Sequence, residues 1–181
     1  TLARSEGQGA TGVANVDQAY DYSGHTYDYF KNTHNRDSFD NAGATLVATV
    51  NYCNSGSPCP YANAFWNGTQ IVFGDGLVAD DVVGHEWTHA VTEKSARLYY
   101  YSQSGALNES FSDVSGETID LLNGPGTDTS SVRRQTGEDI THPSLGGAIR
   151  HMMTPTAFGQ PGKVRDMQYQ CDAYVDSQGI H

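Results

Sequence analysis

His85-Glu86-Trp87-Thr88-His89 sets two imidazoles four residues apart with a carboxylate beside the first. On a helix, positions i and i+4 share a face with their β-carbons about 5–6 Å apart, so two ring nitrogens can converge on one zinc ion. Glu86 is then placed to take a proton from a water that the metal activates rather than to touch the metal itself. That is the chemistry of metal-assisted hydrolysis. The same five residues also suit the surface or core histidines of an ordinary amphipathic helix, so a third ligand has to decide. Glu109, Asp113 and Asp120 lie at i, i+4 and i+11, one face of a second helical segment. Such a row is ordinarily a solvated face, but this one begins 24 residues after His85, within Asn108-Glu109-Ser110-Phe111-Ser112-Asp113.

The elements that must position these groups are legible in the periodicity. Val83, Trp87, Ala90 and Val91 mark one buried face and predict a helix over residues 82–94. Leu107, Phe111, Val114, Leu121 and Leu122 signal the next helix, ended by Asn123-Gly124-Pro125-Gly126. Upstream, Val16, Ala19, Tyr20, Tyr27 and Phe30 predict a helix over 16–34, with Asn15 as its N-cap. Residues 45–52 and 69–73 read as strands, 63–66 as a further extended segment, and Asn67-Gly68 as the hairpin turn between the last two. Residues 123–147 read as surface loop. Gly7, Gly9 and Gly12 match a dinucleotide-binding glycine pattern in form alone, because no buried strand precedes them.

Composition narrows the partners. Ten Lys+Arg against 21 Asp+Glu give a formal charge of −11, which disfavours nucleic acid and anionic membrane surfaces. No apolar run approaches the roughly 20 residues of a membrane-spanning helix. Cys53 and Cys59 bracket a turn-forming stretch and are expected to form a local disulfide, which implies an oxidising, extracellular setting and a secreted protein. Cys171 is left over.

HEWTHAV followed by GALNESFSD resembles the thermolysin family of zinc endopeptidases. Residues 27–32 and 34–36, NAFWNG at 63–68, 81–84, 137–139, Arg150 and 176–181 continue the resemblance in order and spacing. It implies an α+β fold: an N-terminal lobe of mixed sheet and helices including the His85–His89 helix (residues 1–103), then the start of a mainly helical lobe (104–181). It also implies that the chain begins inside the first lobe and stops short of most of the second. The missing C-terminal segment is then an expected partner, beside peptide or protein substrates.

By that resemblance His85, His89 and Glu109 hold one catalytic zinc and Glu86 is the general base. Tyr100 and His181 would stabilise the oxyanion, with Asp176 orienting His181. Asn108 and Asp113 would orient the histidines. Asn63 and Ala64 would pair with an extended peptide, Arg150 would bind a substrate carbonyl, and Val82 and Ile149 would line an apolar pocket after the scissile bond. Asp81, Asp120 and Glu138 match calcium ligands. Arg133-Arg134-Gln135 stands where the family carries more carboxylates, so one calcium at most is expected, or else carboxylates paired with those arginines. The alternative to an endopeptidase is a non-catalytic zinc-binding fragment that needs its missing part.

Overall fold

The computed structural model describes residues 1–54, 56, 58–163 and 165–166. Helix α1 (Ala14–His34) starts two residues earlier than the periodicity implies, and its N-cap is Val13 rather than Asn15. Asp17 explains the shift. Its carboxylate accepts the Thr11 and Gly12 amides, both at 2.8 Å, and puts negative charge at the helix N-terminus. The Asn15 side chain instead reaches Asp75 at 2.8 Å.

Strands β1 (Ala48–Tyr52), β2 (Ala64–Trp66) and β3 (Ile71–Gly74) form one sheet in the order β1-β3-β2, with β1 parallel and β2 antiparallel to β3. β3 is central and buried along its length. The β2–β3 turn is built as its residues suggest: Asn67 Oδ1 accepts the Thr69 and Gln70 amides, and Gly68 supplies a φ of 95°. β2 is therefore an edge strand, with one side free to pair.

Helix α2 (Asp80–Glu93) packs among α1, the sheet and α3 (Ser102–Asn123), and so is buried on almost every face. Trp87 is its anchor: its indole N–H donates to Ser23 Oγ of α1 at 2.9 Å, and its ring stacks on Phe39. Ile71, Phe73, Val83 and Ala90 complete that core. Two short strands, β4 (Gln135–Thr136) and β5 (Arg150–His151), pair antiparallel beyond α3, so the stretch read as loop contains a strand. Cys53 and Cys59 form a disulfide. No helix among the described residues is long and apolar enough to cross a membrane.

The apolar stripe that signals α3 faces outward. Phe111 is 55% exposed and Leu122 70%, while Glu109, Ser112, Asp113, Gly116 and Asp120 are buried against α2. Small residues make that inversion possible. Gly84 and Gly116 bring the two backbones together, and a β-carbon at Gly116 would strike the Asp81 carbonyl oxygen. Gly116→Ala is therefore expected to pry α2 from α3 and cost about 1–3 kcal/mol by overpacking. Thermal unfolding would show it as a Tm drop of roughly 3–10 °C, and an unchanged Tm would contradict the close approach.

Candidate metal centre and cleft

The His85 and His89 rings project from one face of α2, and their Nε2 atoms face each other at 2.9 Å. Glu109 of α3 meets them, with Oε2 at 3.4 Å from His85 Nε2 and Oε1 at 3.3 Å from His89 Nε2. Ligand atoms 2.0–2.1 Å from a tetrahedral zinc stand about 3.3 Å apart, so the donor set fits that ion in both chemistry and spacing. Among the described residues, this is the set of metal-ligating side chains whose donor atoms all lie within 4.8 Å of one another.

Each ring is held by its other nitrogen. His85 Nδ1–H donates to Asp113 Oδ1 at 2.8 Å, and His89 Nδ1–H donates to Asn108 Oδ1 at 2.8 Å. These bonds fix the tautomer that leaves Nε2 free for a metal. Ser112 Oγ lies 3.2 Å from His89 Nδ1, a contact that spacing alone does not disclose. Asp113 in turn binds Arg150 twice, Oδ2 from Nε at 2.8 Å and Oδ1 from Nη2 at 2.6 Å.

The charges follow from this network. Burial works against ionisation of His85, but the Asp113 and Glu109 carboxylates outweigh it and raise the metal-free imidazole to about 10. Burial would likewise raise Asp113 and Glu109. Contact with His85 and Arg150 instead holds Asp113 down at about 2, and the two histidines hold Glu109 far below the usual carboxylate range.

A cleft of about 1070 Å³ opens over the ligands, and Glu86 and Arg150 line it together with Asn63 and Ala64 of the sheet edge and the apolar Val82 and Ile149. Glu86 is buried, with 6% of its surface exposed. Tyr100 lines the cleft as well, and its hydroxyl donates to Glu109 Oε1. Asp176 and His181 lie outside the described residues, as does Cys171.

A second polar cluster sits at the start of α2. Asp81 accepts the Val82 and Gly137 amides. Asp120, Glu138, Asp80, Asp128 and Asp139 gather around it and Gly126. Asp120 Oδ1, Asp128 Oδ1 and Glu138 Oε2 are buried with no hydrogen-bond partner among the described residues. The alternative, pairing with the arginines, is not what occurs: Arg133 and Arg134 are exposed and form no ion pair with the cluster, and the Arg134 guanidinium turns to Met153. Burial raises Asp81 to about 7, Asp120 to about 10 and Glu138 to about 8, each pushed further by a neighbouring carboxylate. Asp80, Asp128 and Asp139 were not singled out by sequence. The Asp80-Asp81 doublet at a helix start was the one signal available.

Comparison with known proteins agrees in family. A model of the thermolysin metallopeptidase catalytic domain matches residues 5–93, and one of the thermolysin metallopeptidase alpha-helical domain matches residues 96–181. A bacillolysin of Bacillus cereus is 45% identical over 158 residues, covering 82% of this chain and 26% of the relative. A zinc metalloproteinase of Renibacterium salmoninarum is 42% identical, covering 98% of this chain and 35% of its own length. Among solved structures, the precursor of protealysin, a metalloproteinase from Serratia proteamaculans, superposes with a TM-score of 0.78 at 37% identity, covering 98% of this chain and 58% of that one. The chain thus spans about a quarter to a third of these curated relatives.

Asp113 is the test of how the centre is built, because it holds both His85 and Arg150. Asp113→Ala is expected to weaken zinc binding about 10–100-fold in a chelator competition, the usual cost of losing a partner behind a metal ligand. Unchanged affinity would mean that His85 is oriented by something else.

Proposed function

The chain belongs to the thermolysin family of metallopeptidases, and from that premise we propose that it carries the catalytic centre of a secreted zinc endopeptidase that cleaves peptide bonds on the amino side of apolar residues. The carrying observation is the convergence of His85, His89 and Glu109 beneath a cleft lined by Glu86. A zinc held there would supply Lewis acidity and lower the pKa of a water to about 7.

The chain's own residues would do the rest. Glu86 takes the proton of the attacking water and passes it to the leaving amine. The free side of β2, at Asn63 and Ala64, pairs with an extended peptide by strand addition. Val82 and Ile149 receive the apolar side chain after the bond. Arg150, with Nε and Nη2 committed to Asp113, has Nη1 left for a substrate carbonyl. Tyr100 donates to the developing oxyanion once Glu109 is engaged by a cation, and His181, oriented by Asp176, is the second donor. Asn108 and Asp113 keep the histidines aligned. The lobe division is read at residues 103 and 104. The disulfide and the extracellular relatives, such as the elastase of Staphylococcus epidermidis, support secretion.

One observation favours a second reading, a zinc-binding fragment that becomes catalytic only when completed. The outward face of α3, with Phe111, Val114 and Leu122, is an apolar stripe of the kind that another part of a longer chain covers. The two readings divide on one measurement. With zinc bound at one equivalent, this chain hydrolyses an internally quenched peptide with leucine after the scissile bond, and Glu86→Gln lowers the rate about 10²–10⁴-fold while keeping the zinc. Zinc binding without hydrolysis would select the fragment.

Asp81, Asp120 and Glu138 are proposed to hold one calcium: Asp120 Oδ1 and Glu138 Oε2 are buried without a partner among the described residues, Asp81 lies beside them, and carboxylate oxygens are the hard donors that ion takes. A carboxyl whose pKa is raised by folding keeps its proton after the unfolded chain has lost it. Its contribution is therefore complete below pH about 4 and falls as pH climbs toward the folded values of about 7 for Asp81 and 8 for Glu138. With zinc present and calcium omitted, Tm should decline between pH 5 and 8. Millimolar calcium should flatten that decline, and Asp120→Asn should remove the calcium response. A profile indifferent to calcium would refute the assignment.

A further inference from the structure

The cleft is asymmetric about its metal ligands. Val82, near the start of α2, stands with Leu145 and Ile149, whereas Lys94 and Arg97 follow its C-terminal end. At 1.5 Å per residue the helix from Val82 to Lys94 spans roughly 18 Å, with His85, Glu86 and His89 between. One end of the cleft is therefore apolar, and the other carries charge beside Leu98, Tyr99 and Tyr100.

The charges at that second end are not equally available. Glu93 Oε2 accepts the Trp66 indole N–H at 2.6 Å and Oε1 accepts the Lys94 ammonium at 2.6 Å, so Lys94 is neutralised by its neighbour. Among the described residues the Arg97 guanidinium has no hydrogen bond or ion pair, although it lines the cleft. Its backbone is unusual as well. Arg97 adopts a left-handed φ of 51°, and its N–H closes the end of α2 on Thr92 O at 2.8 Å. Glycine, or less often asparagine, is what a left-handed position favours, and an arginine is strained there. Arg97 is thus an exposed cation on a left-handed backbone, unpaired among the described residues, lining a cleft in a protein of charge −11.

We propose that Arg97 is a specificity residue, which recognises a carboxylate side chain two to four residues before the scissile bond. This rests on the peptidase reading above, which assigns the Val82 end to the residue after the bond and so the Arg97 end to those before it. The spacing agrees. From Glu86 to Lys94 is about 12 Å of helix, the length of three to four residues of extended peptide at about 3.4 Å each.

The test needs no turnover. Labelled peptides with leucine after the bond, and with aspartate, asparagine or lysine at each of the four preceding positions, are titrated by fluorescence anisotropy. The titrant is the zinc-loaded chain carrying Glu86→Gln, at low ionic strength. Aspartate should bind about three- to fivefold tighter than asparagine at one of the second to fourth positions, the size expected of an exposed ion pair. Adding Arg97→Gly should abolish that preference without lowering Tm, because glycine relieves the strained backbone. Arg97→Lys should keep most of it, and Arg97→Glu should favour lysine instead. A missing preference, or one that survives Arg97→Gly, overturns the assignment. Replacing the leucine by glycine separates the two readings: if binding is indifferent to that change or absent, both fall, whereas leucine dependence with indifference to aspartate removes Arg97 alone.

Discussion

The close approach of α2 and α3 is the constraint from which the rest of the site follows. Two of the candidate metal ligands come from one helix and the third from the other, and to hold a tetrahedral zinc all three must bring donor atoms to within about 3.3 Å of one another. Helices separated by ordinary side chains run 8–10 Å apart. Gly84 and Gly116 remove the side chains at the crossing, so Glu109 can reach His85 and His89 directly. The same contact buries the polar face of α3, which sets Asn108, Ser112 and Asp113 against the two imidazoles. The geometry of the centre is thus set by backbone packing before any metal arrives.

Burying so much charge has to be offset, and the two polar clusters do it differently. Around Asp113 each charge meets its opposite: the carboxylate stays ionised because His85 and Arg150 face it at hydrogen-bond distance. Around Asp81 and Asp120 no cationic side chain of the described residues enters, and burial drives the carboxyls toward their protonated forms instead. A buried carboxylate without a counter-charge is costly, so the second cluster either keeps its protons or takes up a cation. That contrast separates a network neutralised by protein charges from one whose carboxyls meet no protein counter-charge among the described residues.

Much of this was legible before the coordinates. The periods of α1, α2 and β3, the Asn67-Gly68 turn and the Cys53–Cys59 pair all come from short-range rules, and the structure follows them to within a few residues. The start of α1 was misread because Asn15 has the right chemistry for a cap, but Asp17 delivers more charge to the same end. β4 and β5 were invisible because two-residue strands carry no period. Distances between ligands, the double bond of Arg150 to Asp113 and the turn of Tyr100 toward Glu109 are products of tertiary packing, beyond any spacing argument.

The orientation of α3 marks the limit of pattern reading. A helix with an apolar stripe is ordinarily expected to bury that stripe, yet Leu107, Phe111, Val114 and Leu122 face outward and a row of carboxylates faces in. The period of the pattern is right and the face is reversed, because period reports only that a helix forms, while the burying face is chosen by what packs against it. Here α2 supplies imidazoles and a glycine, so carboxylates and small residues are the better complement. The apolar stripe is then left without a partner among the described residues, at a cost in water. A site assembled from the inward face and a helix stabilised through its outward face would tie the alignment of Glu109 and Asp113 to the packing of residues that touch neither metal nor substrate.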